Sequence, residues 1–333
     1  MKRCAAILGL TAAIGLSGFG GANAQTPNRP GSNPLFHDRF TADPAPLVVG
    51  DHLFLYVGHD EAKDDEMFNM REWLVYSTTD LKTWTAHPPI MNVADFKWAQ
   101  KDAWASQAIQ KNGKFYFYAA VEHDGSNPGK AIGVAIADQP AGPFVDARGS
   151  ALITNDMTPK GTHSWEDIDP TVFTDDDGTT WIAWGNRQCY LAKLKPNMIE
   201  LDGPIMEITP PYFEEGPWLH KRGDLYYLTY ASLDRSSQQD EHVSYATAPS
   251  LAGPWTYRGL LTGPGEGSFT IHPGITEFRG DWYIFLHNAA LTIGTQTGAL
   301  GRRAVTVERL GYNPDGTLKP VVQTKSGVSA SVP

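Results

Sequence analysis

The chain repeats one pattern five times: a short apolar run, a polar turn closing on glycine, and a second run rich in aromatic and β-branched residues. The clearest copy is Ile168-Asp169-Pro170-Thr171-Val172-Phe173, the turn Thr174-Asp175-Asp176-Asp177-Gly178-Thr179, and then Thr180-Trp181-Ile182-Ala183-Trp184. Two such runs across a glycine turn predict a β-hairpin. The other copies pair residues 43–49 with 53–56, 106–109 with 115–118, 215–219 with 225–228, and 271–275 with 282–285. Their turn glycines are Gly50, Gly113, Gly178, Gly223 and Gly280, spaced by 63, 65, 45 and 57 residues. Further strand-like runs follow several hairpins: 73–77, 132–137 before Gly142-Pro143-Phe144, and 243–248 before Gly253-Pro254-Trp255. The run 304–308 with 312–318 predicts a last hairpin that closes the fifth unit. No amphipathic helical run interrupts the series. Five small antiparallel sheets in succession predict an all-β, five-bladed β-propeller forming a single domain.

Seven to nine positions before each turn glycine stand Asp43, Trp104, Asp169, Glu215 and His272. If the first strand of each hairpin is the innermost of its blade, these five side chains start at one end of one channel. An acid before proline is a common turn starter and says little alone. Three acids at corresponding strand starts say more, because carboxyl groups gathered in an aromatic-lined channel are what glycoside hydrolysis requires: one protonates the leaving oxygen, another activates water. The charged stretch from Asp60 and Glu61 onwards reads as a solvated loop over the channel mouth. Thr174 to Gly178 lacks the length and terminal glutamate of a calcium loop and reads as a hairpin turn.

Composition narrows the partners. Residues 1–24 carry Lys2 and Arg3, an apolar run, and Ala22-Asn23-Ala24 before Gln25, the three parts of a secretory signal peptide. Cleavage after Ala24 predicts a secreted or periplasmic protein whose propeller occupies residues 25–333, with 25–33 as a loose lead-in. No later run has the roughly 20 apolar residues of a membrane helix. Without Lys2 and Arg3 there remain 25 basic and 37 acidic residues, a formal charge of −12. That balance argues against nucleic acid or an anionic membrane as partner and suits a neutral substrate. Cys189, left alone once Cys4 departs, reads as a small buried apolar residue.

These motifs resemble glycoside hydrolase family 43, five-bladed propeller enzymes acting on arabinose- and xylose-containing polysaccharides. The resemblance is carried by Ala42-Asp43-Pro44, Ile168-Asp169-Pro170, Glu215-Gly216-Pro217, Arg302-Arg303-Ala304-Val305 and Tyr312-Asn313-Pro314-Asp315-Gly316. It implies that Asp43 is the general base, Glu215 the general acid, and Asp169 the carboxylate that orients Glu215 and raises its pKa, in an inverting hydrolysis. It also implies that Trp104 stacks on sugar, the alternative being core packing. Arg303 would reach the sugar from the last blade, more so than Arg302, the alternative for either being a surface salt bridge. His272 would bind substrate or lie beside a calcium or other ion in the channel, directly or through water, the alternative being a structural histidine. No cofactor is required for the chemistry. The implied substrate is an α-L-arabinofuranoside or β-D-xyloside in a plant-wall polysaccharide or its oligosaccharides. An endo-1,5-α-L-arabinanase and a non-catalytic sugar-binding propeller are the rival readings, while a fructan-cleaving propeller lacks support because its Asn-Asp-Pro-Asn-Gly motif is missing.

Overall fold

The structure, a computed structural model, describes residues 29–158 and 163–329; the leader at 1–24 lies outside the described residues. Strands dominate, with short 3₁₀ turns as the helical elements. Blade one contains Phe40–Val49, His52–Asp60, Glu72–Thr78 and Thr85–Ala86; blade two contains Ser106–Lys111, Lys114–His123, Lys130–Ala137 and Val145–Asp146. Blade three runs Thr171–Thr174, Thr180–Trp184, Tyr190–Leu194, Leu201–Glu207, and blade four Phe213–Arg222, Leu225–Ser232, His242–Ala248, Thr256–Thr262. Blade five has Gly274–Phe278, Asp281–Asn288 and Ala304–Arg309. The five turn glycines all have positive φ, between 60 and 85°, as tight antiparallel turns of right-twisted strands demand.

Each inner strand lies beside those of the blades before and after it, and Phe40–Val49 meets Gly274–Phe278, so the ring closes. Inner strands of neighbouring blades splay too far apart to form a ladder, and side chains bind them instead. Gln107 donates from Nε2 to the Val172 carbonyl at 3.0 Å and accepts the Val172 N–H at 2.9 Å, joining blades two and three. Thr171 Oγ1 accepts the Leu219 N–H at 3.2 Å, joining three and four. Trp218 Nε1 donates to the Ile275 carbonyl at 3.0 Å, joining four and five.

Most strands are buried on both faces, so they read as continuous apolar runs rather than alternating ones. Leu53, Leu55 and Val57 pack toward Phe285, Val305 and Val307 of blade five, while Ala183, Leu191 and Cys189 pack with Leu219, Leu228 and Tyr230 of blade four. Burial of Cys189 agrees with the expectation for it.

Two expectations are corrected. Ala304–Arg309 does not form a hairpin with the segment after it; it pairs with Asp281–Asn288 as the third strand of blade five, and Tyr312 bridges Leu318 within its own turn. Nor does the lead-in hang loose by residue 33. Asn33 accepts the Val307 N–H at 2.8 Å and donates to the Val307 carbonyl at 3.1 Å, and the Leu35 N–H reaches the Val305 carbonyl at 2.8 Å. The N-terminal segment thereby supplies the outer edge of the last blade. The physical reason is geometric: Ala304–Arg309 has backbone groups left over after pairing with one neighbour, and these need partners.

Candidate active site

Proline organises the channel mouth. Asp43 and Asp169 each precede proline and adopt φ of 53 and 58°, a left-handed conformation that side chains other than glycine occupy at a cost. In blade four the residue before proline is Gly216, φ 57°, so the acid there is one position earlier, at Glu215. At Asp43 and at Glu215 the strand register slips against its neighbour. Such bulges turn a side chain out of the ladder and aim it elsewhere. All three acids are thus turned into the channel, where His272, ahead of Pro273, meets them.

His272 is the hub. Its Nδ1 lies 3.2 Å from Asp43 Oδ1, and its Nε2 lies 3.1 Å from Glu215 Oε1 and 3.6 Å from Asp169 Oδ2. Burial alone would push the imidazole down, but Asp43, Asp169 and Glu215 together outweigh it and hold the ring protonated, up to about 10. Glu215 also accepts a 2.7 Å hydrogen bond from Asn186 Nδ2. Burial acts to raise the Glu215 carboxyl, but the bond and charge of His272 and the bond from Asn186 prevail, leaving it lowered. Asp169 behaves oppositely: burial, reinforced by Glu215 and Asp43 and partly opposed by His272, pushes it up to about 8, while its Oδ2 accepts the Gly216 N–H at 3.1 Å. The repulsion between Asp169 and Glu215 is mutual, and here it is Asp169 that rises. With the site free of sugar, proton affinity within the group leans toward Asp169 and His272, because Glu215 is the carboxyl that receives two donors.

Asp43 is held from the other side by Arg303, whose Nη1 donates to Asp43 Oδ1 at 2.9 Å. Arg303 also forks onto Asp60, Nε to Oδ2 at 2.9 Å and Nη2 to Oδ1 at 3.0 Å, and its backbone N–H donates to Asp60 Oδ2 at 2.8 Å. Nη1 has a weaker contact with Thr270 Oγ1 at 3.4 Å, and Nη2 with Asp43 Oδ2 at 3.4 Å. The guanidinium's donors are met within the protein, and Arg303 thereby orients Asp43. The reading of Asp60 is corrected. That residue is 2% exposed, a buried ion-pair partner rather than a solvated loop residue, whereas Glu61 is exposed. Arg302 is buried too, bonded to the Thr297 and Ala62 carbonyls and to Asp64. Beneath Asp43, His287 accepts the Asp43 N–H on Nδ1 at 3.2 Å and donates from Nε2 to the Thr270 carbonyl at 2.9 Å. Burial, then the charges of Arg303 and His272, drive His287 well below its ordinary value, so it is the neutral partner of the pair.

Trp104 does not join this cluster. It stands half-buried on the rim, its ring set edge-on to Phe68 and Trp165, each with centroids 5.7 Å away. Phe68 belongs to the loop between the second and third strands of blade one and also lies 5.1 Å from the Arg303 guanidinium, so that loop does cover part of the mouth. Asp60, Asn186 and Trp165 were absent from the sequence-based site. Asn186 follows a glycine at a strand end, a pattern shared by many turns, and carries no local sign of its partner.

Among the described residues, Asp169, Glu215 and His272 form a group whose ligand atoms lie within 4.8 Å of one another. The group does not fit calcium with His272 as ligand. Calcium takes six to eight oxygens, and an imidazole offers it nitrogen. The imidazolium itself supplies the positive charge that these acids face. The turn Thr174 to Gly178 is a hairpin turn as expected, closed by Asp175 N–H to the Thr179 carbonyl and tied to blade four by Lys221 and Tyr226.

The profile of glycosyl hydrolases family 43 matches residues 32–318. An arabinoxylan arabinofuranohydrolase of Bacillus subtilis is 29% identical over 90% of this chain, which spans 65% of that protein's length. The xylosidase/arabinosidase 43A of Humicola insolens is 30% identical over 86% of this chain and 98% of its own. In three dimensions, a calcium-free β-xylosidase/α-arabinofuranosidase from a compost metagenome, solved with xylotriose, superposes with a TM-score of 0.76 at 27% identity, covering 89% of this chain and 98% of the other. An α-L-arabinofuranosidase from Clostridium thermocellum gives 0.71 at 30% identity, covering 88% and 97%. With the closed five-blade ring and three acids gathered at its mouth, the match shows that this chain belongs to glycosyl hydrolases family 43.

Proposed function

We propose that this chain is an exported glycosidase that cleaves α-L-arabinofuranosyl or β-D-xylosyl linkages in plant-wall polysaccharides or their oligosaccharides, with inversion at the anomeric carbon. The observation that carries the reading is the meeting of Asp43, Asp169 and Glu215 around His272 in one channel mouth. Asp43 accepts a proton from water as the water oxygen bonds to the anomeric carbon. Glu215 delivers a proton to the departing glycosidic oxygen as the carbon–oxygen bond breaks. Asp43 and Glu215 face opposite nitrogens of one imidazole, which keeps them a ring's width apart; this accords with the wide spacing of inverting pairs, about 6.5–9.5 Å, rather than the ~5 Å of retaining ones. Protons in so tight a group belong to the group rather than to one residue. Asp169 and His272 store what Glu215 must hand on, and a sugar oxygen arriving at Glu215 provides the acceptor. Trp104 on the rim offers an aromatic face to the sugar, and the loop carrying Phe68 narrows one side of the mouth, which favours release of single terminal sugars. The relatives named above for arabinose and xylose substrates support that choice. The leader at residues 1–24 supports export, and N-terminal sequencing of mature protein beginning elsewhere than Gln25 would contradict that cleavage site.

The test is hydrolysis of nitrophenyl α-L-arabinofuranoside, nitrophenyl β-D-xyloside, arabinoxylan and linear arabinan, with products sized and their anomeric form read by proton NMR before mutarotation. Single sugars of inverted configuration are expected. Oligomers from arabinan with inert nitrophenyl glycosides would replace this reading with the endo-arabinanase. Asp43→Asn and Glu215→Gln should each lose about 10²–10⁴-fold on polysaccharide, and near-normal turnover by either would overturn its assignment.

A further inference from the structure

We propose that Lys130 is a positioning residue for substrate binding: it seats the Trp104 indole on the channel rim and thereby fixes the surface on which the sugar rests. The inference rests on the reading of Trp104 as the sugar platform. Lys130 opens the third strand of blade two and is 1% exposed, one of the largest fully buried side chains in the protein. Its Nζ lies 3.5 Å from the centroid of the Trp104 ring. The ammonium also pairs with Asp102 and, at 3.0 Å, with Glu122, its cross-strand neighbour.

A buried ammonium is an expensive way to fill space, since an apolar side chain of like volume would pack without losing hydration. Packing alone therefore does not account for a lysine here. The carboxylate that neutralises it is also unusual. Asp102 adopts φ 68°, in the left-handed region, two residues before Trp104. Strain of this kind persists where surrounding contacts hold it and gathers at functional sites.

Trp104 needs such a seat. Its backbone is fixed, the N–H donating to the Ala120 carbonyl at 3.0 Å and its carbonyl accepting Trp73 Nε1 at 2.7 Å. Its own Nε1, by contrast, is buried and has no hydrogen-bond partner among the described residues. No hydrogen bond from the described residues sets the tilt of the ring, so the tilt depends on what its faces and edges touch: the Lys130 ammonium, Phe68 and Trp165. Lys130 reaches the last of these as well. Its backbone N–H donates to the Ser164 carbonyl at 2.7 Å, next to Trp165. One residue thus secures both aromatic walls on this side of the mouth, Trp104 through its side chain and Trp165 through its backbone. A cation centred over an indole is attracted by the ring and resists rocking, and this attraction grows when water is excluded.

The experiment is a double-mutant cycle in the full chain. Xylotriose binding is measured by titration calorimetry for Lys130→Met, Trp104→Ala and the double variant, each on a Glu215→Gln background that blocks turnover. Lys130→Met, close in length but uncharged, should weaken binding about tenfold or more, and should weaken it no further once Trp104 is alanine. Lys130→Arg, which keeps a cation under the ring, should retain most of the affinity. Should Lys130→Met not fold, Glu122→Gln removes one of the two anchors at a more exposed side chain; its loss of affinity should likewise vanish in the Trp104→Ala background. Xylotriose affinity unchanged in Lys130→Met while Trp104→Ala loses it would overturn the proposal, as would losses that simply add. Unchanged binding in Trp104→Ala would instead defeat the platform reading on which the proposal stands, and the proposal with it.

Discussion

Asp60→Asn tests the idea that a buried ion-pair relay holds the proposed base. Asp60 accepts three hydrogen bonds from Arg303, at 2.8, 2.9 and 3.0 Å, and asparagine cannot accept all three. Its amide keeps one acceptor oxygen but turns an NH₂ group toward donors. One charge-assisted bond lost is worth about 1.5–3 kcal/mol. Stripping a buried ion of its partner outright costs about 3–5 kcal/mol. Asp43 still contacts the guanidinium at 2.9 Å, so the lower end, about 3 kcal/mol, is expected. For a chain of this size that is a fall in Tm of roughly 5 °C or more. Activity should fall too, because a guanidinium released by Asp60 closes on Asp43, the carboxylate that must take a proton from water. A loss of about ten- to hundredfold in kcat on nitrophenyl α-L-arabinofuranoside or nitrophenyl β-D-xyloside would follow, part of what complete removal of a general base costs. Melting followed by circular dichroism, with initial rates measured well below the Tm, separates the two effects. Unchanged Tm with unchanged kcat would refute the relay, and a lower Tm with normal kcat would leave Asp60 a purely structural acid.

Three further outcomes follow from the same cluster. Asn186→Ala removes the 2.7 Å bond to Glu215, about 1.5–3 kcal/mol; kcat/KM should drop roughly ten- to hundredfold, and less with nitrophenol as leaving group than with a sugar, a difference that steady-state kinetics on both substrates will reveal or deny. Gly216→Ala places a methyl group 3.0 Å from the His272 ring at a backbone φ of 57°; urea denaturation should show about 1–3 kcal/mol lost, and full stability would mean that the ring can move aside. The folded state should weaken as pH rises. His272 is raised from 6.5 to about 10 and Asp169 from 3.8 to about 8, so both hold protons in the folded chain that the unfolded chain releases sooner. The His272 contribution is complete below pH 6.5 and is lost as pH climbs through about 10, while that of Asp169 is lost between 3.8 and about 8. Tm should therefore decline from mildly acidic to alkaline pH, with His272→Gln flattening the upper part; a Tm that rises over that range would contradict the protonation pattern.

The blades were legible because their hairpins are local. Each turn glycine and its flanking strands lie within a few residues of one another, and the acids before proline recur in step with them. What a residue meets across the channel is not local. Asp60 ends a strand and runs into a charged loop, so in sequence it looks solvated; the arginine that buries it is 243 positions away. Arg303 was legible as a residue of the mouth, but its two carboxylate partners were not, since they depend on how blades one and five meet. The lowering of Glu215 was hidden for a similar reason: it depends on which oxygens His272 and Asn186 approach. Asn33 reads as part of a polar lead-in, and its amide becomes a strand partner only once the edge of blade five stands beside it.

That edge also bears on when the enzyme can begin to work. Blade five is completed by residues near both ends of the polypeptide, Asn33 and Leu35 on one side and Ala304–Arg309 on the other. Asp43 and Arg303, 260 positions apart, sit at the same seam. A ribosome therefore releases nearly the whole chain before the proposed base can be aligned, and four correctly folded blades remain inert. Joining the seam is long-range and slow in entropic terms. Circular permutation through the exposed turn at Asp51 would keep Asn33 and Ala304 on one continuous segment, and would move the long-range closure from blade five to the pairing of Phe40–Val49 with His52–Asp60 in blade one.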